Sequence, residues 1–183
     1  MTSEDDVQKA VDTADALAPL RIVVNCAGIG PPEKMVGKNG PMPLANFETV
    51  IKVNLIGTFN VARLAAAKMM EKDPIADLAR GALVNTASVA AFDGQIGQAA
   101  YAASKGGIVG MTLPVARDLS AVGVRVNTIA PGLIDTPIYG EGEQSEAFKA
   151  HLGQPVLFPK RLGSSQALAF MGIDFPTNPY LKG

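Results

Sequence analysis

Apolar positions along the 183-residue chain alternate between two spacings, one helical and one strand-like, and the alternation predicts most of its elements. Residues 5–18 have an amphipathic helical pattern, with Thr2 or Ser3 placed to cap it and Asp5 and Asp6 in its first turn. Arg21–Asn25 is a short β-branched run stopped by Ala27-Gly28, which predicts a buried strand. Residues 29–43, rich in proline and glycine, predict a loop. A long helix is expected from Asn46 to about Met70, a second strand over Gly81–Thr86, another helix from Gln98 to about Ala121, and a third strand over Val124–Ile129. Beyond Pro131 the pattern loosens. Residues 132–159 predict a loop-rich region with a short helix near 143–151, and 164–173 a last helix. Strands separated by helical crossovers predict an α/β fold with a parallel sheet in a single domain over 1–183.

Composition narrows the class. The chain is 48% hydrophobic and 18% charged, enough apolar material for a packed core and too little charge for wholesale disorder. Sixteen basic against seventeen acidic residues leave no electrostatic footprint for nucleic acid or an anionic membrane surface. No window approaches the roughly 18 uninterrupted apolar residues of a bilayer span. The acidic first 20 residues are unlike a secretory or transit peptide. Cys26 is the sole cysteine and His151 the sole histidine, so no intrachain disulfide and no metal site is expected. A reducing, cytoplasmic compartment is the expectation, with the mitochondrial matrix compatible for a eukaryotic relative.

In open parallel sheets, ligands sit outside the carboxyl ends of the strands. Those ends here are Asn25-Cys26-Ala27-Gly28, Thr86-Ala87-Ser88 and Ala130-Pro131-Gly132, each small or turn-forming, so that backbone can approach a flat ligand or simply turn. Tyr101 and Lys105 are four apart on a predicted helix and share a face. A free phenol has a pKa of about 10, and a neighbouring ammonium favours its ionised form, so such a pair can act as a general acid/base near neutrality. Taken alone the pair is also an ordinary helix-surface couple. Its helix, AAYAASKGGIVG, is built of small residues that leave room for something bulky. Ser88 ends the preceding strand, and Asn54 lies inside an apolar helix, where an amide needs a partner. A serine hydrolase is disfavoured, because His151 has no G-x-S-x-G elbow to serve.

In order and spacing, including the 13-residue step from Ser88 to Tyr101, these residues resemble the short-chain dehydrogenase/reductases. Asn25-Cys26-Ala27-Gly28 is similar to that family's N-N-A-G motif, and Asn54, Ser88, Tyr101 and Lys105 to its catalytic tetrad. Residues 85–119, including Pro114 and the Gln95/Gln98 pair, are most similar to the family's 3-hydroxyacyl-CoA dehydrogenases. The resemblance implies a Rossmann-like, doubly wound sheet and a nicotinamide cofactor, NAD with NADP not excluded. It implies that Tyr101 exchanges a proton with the substrate oxygen and Ser88 holds that oxygen. Lys105 would bind the ribose and assist the tyrosine, and Asn54 would hold a relaying water. Cofactor contacts fall to Asn25, Cys26, Ala27, Gly28, Tyr101, Lys105, Pro131, Gly132, Leu133 and Thr136, and substrate contacts to Ser88, Gln95, Gln98 and Tyr101. Residues 135–158, with Ile138, Tyr139, Phe148, Leu152 and Phe158, would form an apolar lid. The helices 46–70 and 98–121 would pair copies of the chain into a homo-oligomer.

The resemblance also implies departures. The family's glycine-rich T-G-x-x-x-G-x-G turn, its cofactor-selecting second strand and its last strand have no counterpart in these 183 residues. The three strands are then family strands 4, 5 and 6, with unpaired edges and an uncovered apolar face. A truncated domain is expected, one that binds NADH poorly. The substrate class implied is a 3-hydroxyacyl-CoA or similar hydroxy or keto compound. A carrier-protein-linked 3-oxoacyl reductase, and a non-enzymatic relative acting by helix association, are the alternatives.

Overall fold

The structure, a computed structural model, describes residues 1–140 and 142–181. Glu141, inside the stretch expected to form a lid, lies outside the described residues, as do Lys182 and Gly183.

Three parallel strands carry the molecule: β1 (Ile22–Asn25), β4 (Gly81–Thr86) and β5 (Val124–Ile129), in the order β1-β4-β5. Val23 lies opposite Leu83, and Leu83 opposite Val126, so one row of aliphatic side chains crosses one face. That face is covered by α1 (Glu4–Leu17), by α3 (Gly57–Met70) and by the second half of α4 (Ala99–Ser120). Val7 and Val11, four apart on α1, meet Ala62, Ala65, Ala66 and Met69 of α3 in this core. The N-terminus of α1 is capped by Ser3, whose Oγ accepts from the Asp6 amide. Its other end is held by Asp15, which accepts from the Leu20 amide and pairs with Lys72.

The opposite face is covered unequally. α6 (Ser165–Thr177) packs on β4, where Ala82 and Val84 are buried. The Arg125 guanidinium donates to the carbonyls of Phe175, Pro176 and Leu181 and so ties the end of α6 to β5. Ile22 and Val24 on β1 stay about half exposed, at 51% and 52%.

The three strands and the long helices fall within a residue or two of their expected bounds, but four local features differ. The loop expected over 29–43 contains a small antiparallel hairpin, β2 (Val36–Gly37) with β3 (Gly40–Pro41); Gly40 takes a φ of +101°, which permits the tight reversal. The helix expected from Asn46 begins at α2 (Leu44–Ile51) and reaches α3 through a π turn at Lys52–Ile56, closed by the Gly57 amide donating to the Lys52 carbonyl. β6 (Ile134–Asp135) pairs in parallel with β7 (Gly163–Ser164), an unexpected contact between the two ends of the lid region. α6 runs four residues past its expected end, through Pro176, while the short helix expected near 143–151 is α5 (Glu143–Gly153).

The 27-residue helical stretch Leu44–Met70 is long and apolar enough to cross a membrane, but its Ala62–Met69 side is committed to the core, and Lys52, Asn60, Arg63 and Lys68 interrupt it.

Candidate active site

The carboxyl ends of β1 and β4 and the first half of α4 form one wall. Tyr101 and Lys105 stand there four residues apart as expected, with the ammonium 5.6 Å from the centre of the tyrosine ring. Lys105 is 4% exposed, and its Nζ donates to the Thr86 carbonyl at 2.6 Å. Burial holds this lysine below its ordinary pKa, while the neighbouring Cys26 thiol acts in the opposite direction.

Asn54 lies in the π turn and is fully buried. The extra residue of a π turn shifts side chains around the helix, and here the amide meets the loop that leaves β1. Its Oδ1 accepts from the Ile29 amide at 2.8 Å, and its Nδ2 donates to the Ile29 carbonyl at 2.8 Å and to Ser104 Oγ at 3.0 Å. The backbone carbonyl of Asn54 accepts from Thr58 Oγ1 at 2.6 Å. At Gly28 and Gly30 the same loop leaves little room for a side chain. A Cβ on Gly28 would come within 3.3 Å of Asn54 Oδ1 and 3.5 Å of Lys105 Nζ, and one on Gly30 within 3.1 Å of Tyr101 Cδ2.

Ser88 is half-buried at the end of β4, where its Oγ accepts from the Ala90 amide and starts a short 3₁₀ turn. Hydrogen bonds donated by the Ala87 amide to the Ile129 carbonyl and by the Val89 amide to the Pro131 carbonyl bring the Ser88 backbone beside Pro131 and Gly132. The Gly163 amide donates to the Leu133 carbonyl, and Thr136 precedes the 3₁₀ turn Pro137–Tyr139. Asn25, expected to face a cofactor, is buried with its Nδ2 donating to Asn85 Oδ1 across the sheet. Cys26 is exposed, its Sγ 3.8 Å from Thr86 Oγ1.

Gln95 and Gln98 stand apart from this wall. Gln98 Oε1 accepts from the Gln95 amide, and both residues line a cleft of about 470 Å³ between the Gly94–Ala99 turn and the Glu33–Val36 loop. The two sides of that cleft are joined by the Glu33 amide, which donates to the Gly97 carbonyl.

In the lid region, the Tyr139 and Phe148 rings meet edge to face at 6.2 Å, and Ser145 Oγ donates to the carbonyls of Tyr139 and Gly140. Lys149 bridges to Asp135 at 2.9 Å, pinning α5 to β6. Burial, with Tyr101 and Asp135 nearby, pushes the Tyr139 phenol above its ordinary pKa. Ile138, Phe148 and Phe158 are 58%, 50% and 92% exposed.

Sequence reasoning missed Ser104, Thr86 and Ile29 as parts of the wall. The signal for Ser104 was its place one residue before Lys105 and three after Tyr101, masked by a run of small residues. The contributions of Thr86 and Ile29 are backbone groups, which side-chain chemistry does not reveal.

Residues 1–147 match the family model described as short chain dehydrogenase. The chain is 48% identical over 186 residues to 3-hydroxyacyl-CoA dehydrogenase type-2 of Drosophila melanogaster, covering 100% of this chain and 72% of that protein. It is 39% identical over 137 residues to acetoacetyl-CoA reductase of Allochromatium vinosum, covering 74% of this chain and 52% of that protein. The crystal structure of 3-hydroxyacyl-CoA dehydrogenase type-2 from Mycobacterium avium matches with a TM-score of 0.91 at 44% identity, covering 99% of this chain and 70% of that one.

Proposed function

The chain belongs to the short-chain dehydrogenase family of oxidoreductases, and on that premise we propose that it interconverts a 3-hydroxyacyl-CoA and the corresponding 3-ketoacyl-CoA with NAD as cofactor. The observation that carries this reading is the convergence of Asn54, Tyr101 and Lys105 on the turn Gly28-Ile29-Gly30, whose two glycines bring bare backbone against them. A turn that a single Cβ at Gly28 or Gly30 would crowd suits the close approach of a flat ring and its ribose. Lys105 Nζ uses one donor on Thr86, its one hydrogen-bond acceptor among the described residues, and has two left for vicinal hydroxyls. Cys26, Ala27 and Gly28 would line one side of the cofactor, and Pro131, Gly132, Leu133 and Thr136 the other.

A bound nicotinamide supplies the hydride acceptor or donor. Tyr101 exchanges the proton at the substrate oxygen, and Ser88 Oγ holds that oxygen by a hydrogen bond. Lys105 places positive charge beside the phenol and orients the ribose. The Asn54 side chain is committed to Ile29 and Ser104, so the water of a proton relay falls to its backbone carbonyl, which keeps a lone pair beyond the Thr58 bond. The cleft lined by Gln95 and Gln98 would take the acyl-CoA arm. Ile56, Phe59 and Leu113, half exposed on the two long helices, are where a second copy would dock; sedimentation velocity at increasing protein concentration reads that association directly.

The test is reduction of acetoacetyl-CoA followed as NADH loss. Tyr101→Phe is expected to lower kcat by about 10²–10⁴-fold, the usual contribution of a general acid/base. Calorimetry with NADH belongs beside it, because it reads cofactor binding apart from turnover. Turnover indifferent to Tyr101→Phe would overturn the assignment.

A further inference from the structure

Ser104 is fully buried and sits between the two residues assigned to proton transfer and ribose binding, three after Tyr101 and directly before Lys105. Its Oγ donates to the Tyr101 carbonyl at 2.7 Å. That bond uses the hydroxyl's only proton, so toward any other neighbour Ser104 can act only as an acceptor. The neighbour it meets is Asn54 Nδ2, at 3.0 Å. Asn54 Nδ2 has two hydrogens, and the Ile29 carbonyl takes the other while Oδ1 receives the Ile29 amide. Every donor and acceptor in this group is matched in one arrangement. Turning the amide over would face N–H against N–H at Ile29 and oxygen against a proton-depleted oxygen at Ser104.

We propose that Ser104 is a positioning residue: through Asn54 it clamps the turn that leaves β1 onto the helix bearing Tyr101 and Lys105, and so sets the width of the slot between them. The turn sits close on both sides, since a Cβ on Gly28 would meet Asn54 Oδ1 at 3.3 Å and one on Gly30 would meet the Tyr101 ring at 3.1 Å. Lys105 Nζ is itself held on the far side by the Thr86 carbonyl. Only the Ser104–Asn54–Ile29 chain links the turn to α4 by side-chain hydrogen bonds among the described residues. An alanine fits the same space but has no lone pair for Asn54, whereas a threonine keeps the hydroxyl. The catalytic consequence rests on the oxidoreductase reading; the clamp itself does not.

The experiment uses the full chain, labelled with ¹⁵N, in wild-type, Ser104→Ala and Ser104→Thr forms. In Ser104→Ala, hydrogen exchange of the Asn54 side-chain amide should accelerate by about tenfold or more, the loss of one buried hydrogen bond. Water would then reach Lys105 Nζ, and its titration, followed at Nζ with Cys26 and Tyr101 as the titrating neighbours, should move up toward ordinary lysine. Ser104→Thr should restore both. With NADH and acetoacetyl-CoA, Ser104→Ala should lose about tenfold in kcat with KM unchanged, and Ser104→Thr should recover it. A Ser104→Ala protein that loses only denaturant stability, with Asn54 exchange and Lys105 titration at wild-type values, overturns the proposal. If Ser104→Ala does not fold, the wild type still decides, because Asn54 side-chain exchange at the rate of a free amide overturns the clamp and strong protection supports it. Altered Asn54 exchange in a chain that never turns over substrate supports the clamp and overturns the reading of function.

Discussion

Asn54 is an amide in the middle of a long apolar helix, where a residue of its kind ordinarily weakens the helix and strands its own polar atoms. The π turn removes that penalty by aiming the side chain at Ile29, where it stands in for a strand partner by both accepting and donating. Asn54→Leu keeps the size and leaves the Ile29 amide and carbonyl unmatched. Urea unfolding should show a loss of about 3 kcal/mol, two unsatisfied buried groups at the usual magnitude. Lys105 gives the pH counterpart. Burial lowers its pKa in the folded chain below 10.5, so between that lowered value and 10.5 the unfolded chain binds more protons. Wild type should therefore gain stability relative to Lys105→Met as pH rises through that window, and denaturant midpoints measured across it would show the gap moving in that direction. That Asn54, Tyr101 and Lys105 would come together was legible in the sequence, because they stand out by type and spacing. The matching partners of Asn54 were not, since two of the three are the backbone of Ile29, which any residue type could provide.

At the scale of elements, what the sequence made visible was length. RIVVN, GALVNT and VRVNTI are runs long enough to register as strands, and β4 is buried along its interior. β2, β3, β6 and β7 have two residues each and carry no period at all. The π turn was hidden for a different reason, because one inserted residue inside VNLIG leaves the apolar run unbroken. Charged ends behave more simply. Asp15 closes α1 by accepting from the Leu20 amide and pairing with Lys72, and these contacts hold its carboxyl below the ordinary 3.8. The stabilisation is present above the unfolded pKa and disappears as pH falls through the lower, folded value. Asp15→Asn is thus expected to melt below wild type at pH 7, with the two converging in acid; equal midpoints at pH 7 would remove Asp15 from the account of how α1 is held.

For the whole molecule, the sheet has two outer strands, and the one at β1 is poorly protected. Ile22 and Val24 are half exposed, the strand's outer N–H and C=O groups have no neighbour among the described strands, and a net charge of -1 offers little repulsion between copies. Val24→Lys should lower concentration-dependent light scattering without lowering the melting temperature, since the side chain it replaces is already in solvent. Unchanged scattering would place the association elsewhere, along the long helices for example. The pairing of β6 with β7 has a wider consequence. It pins residues 134–135 to 163–164, so the chain between them is a ring closed by a two-residue staple outside the three-stranded sheet, with Tyr139 close to Tyr101. Lengthening such a ring costs only about 0.6 kcal/mol per doubling. On the proposed function, descendants of this sequence can therefore exchange the ring for one of another size and shape, and with it the substrate, while Tyr101 and Lys105 stay in place.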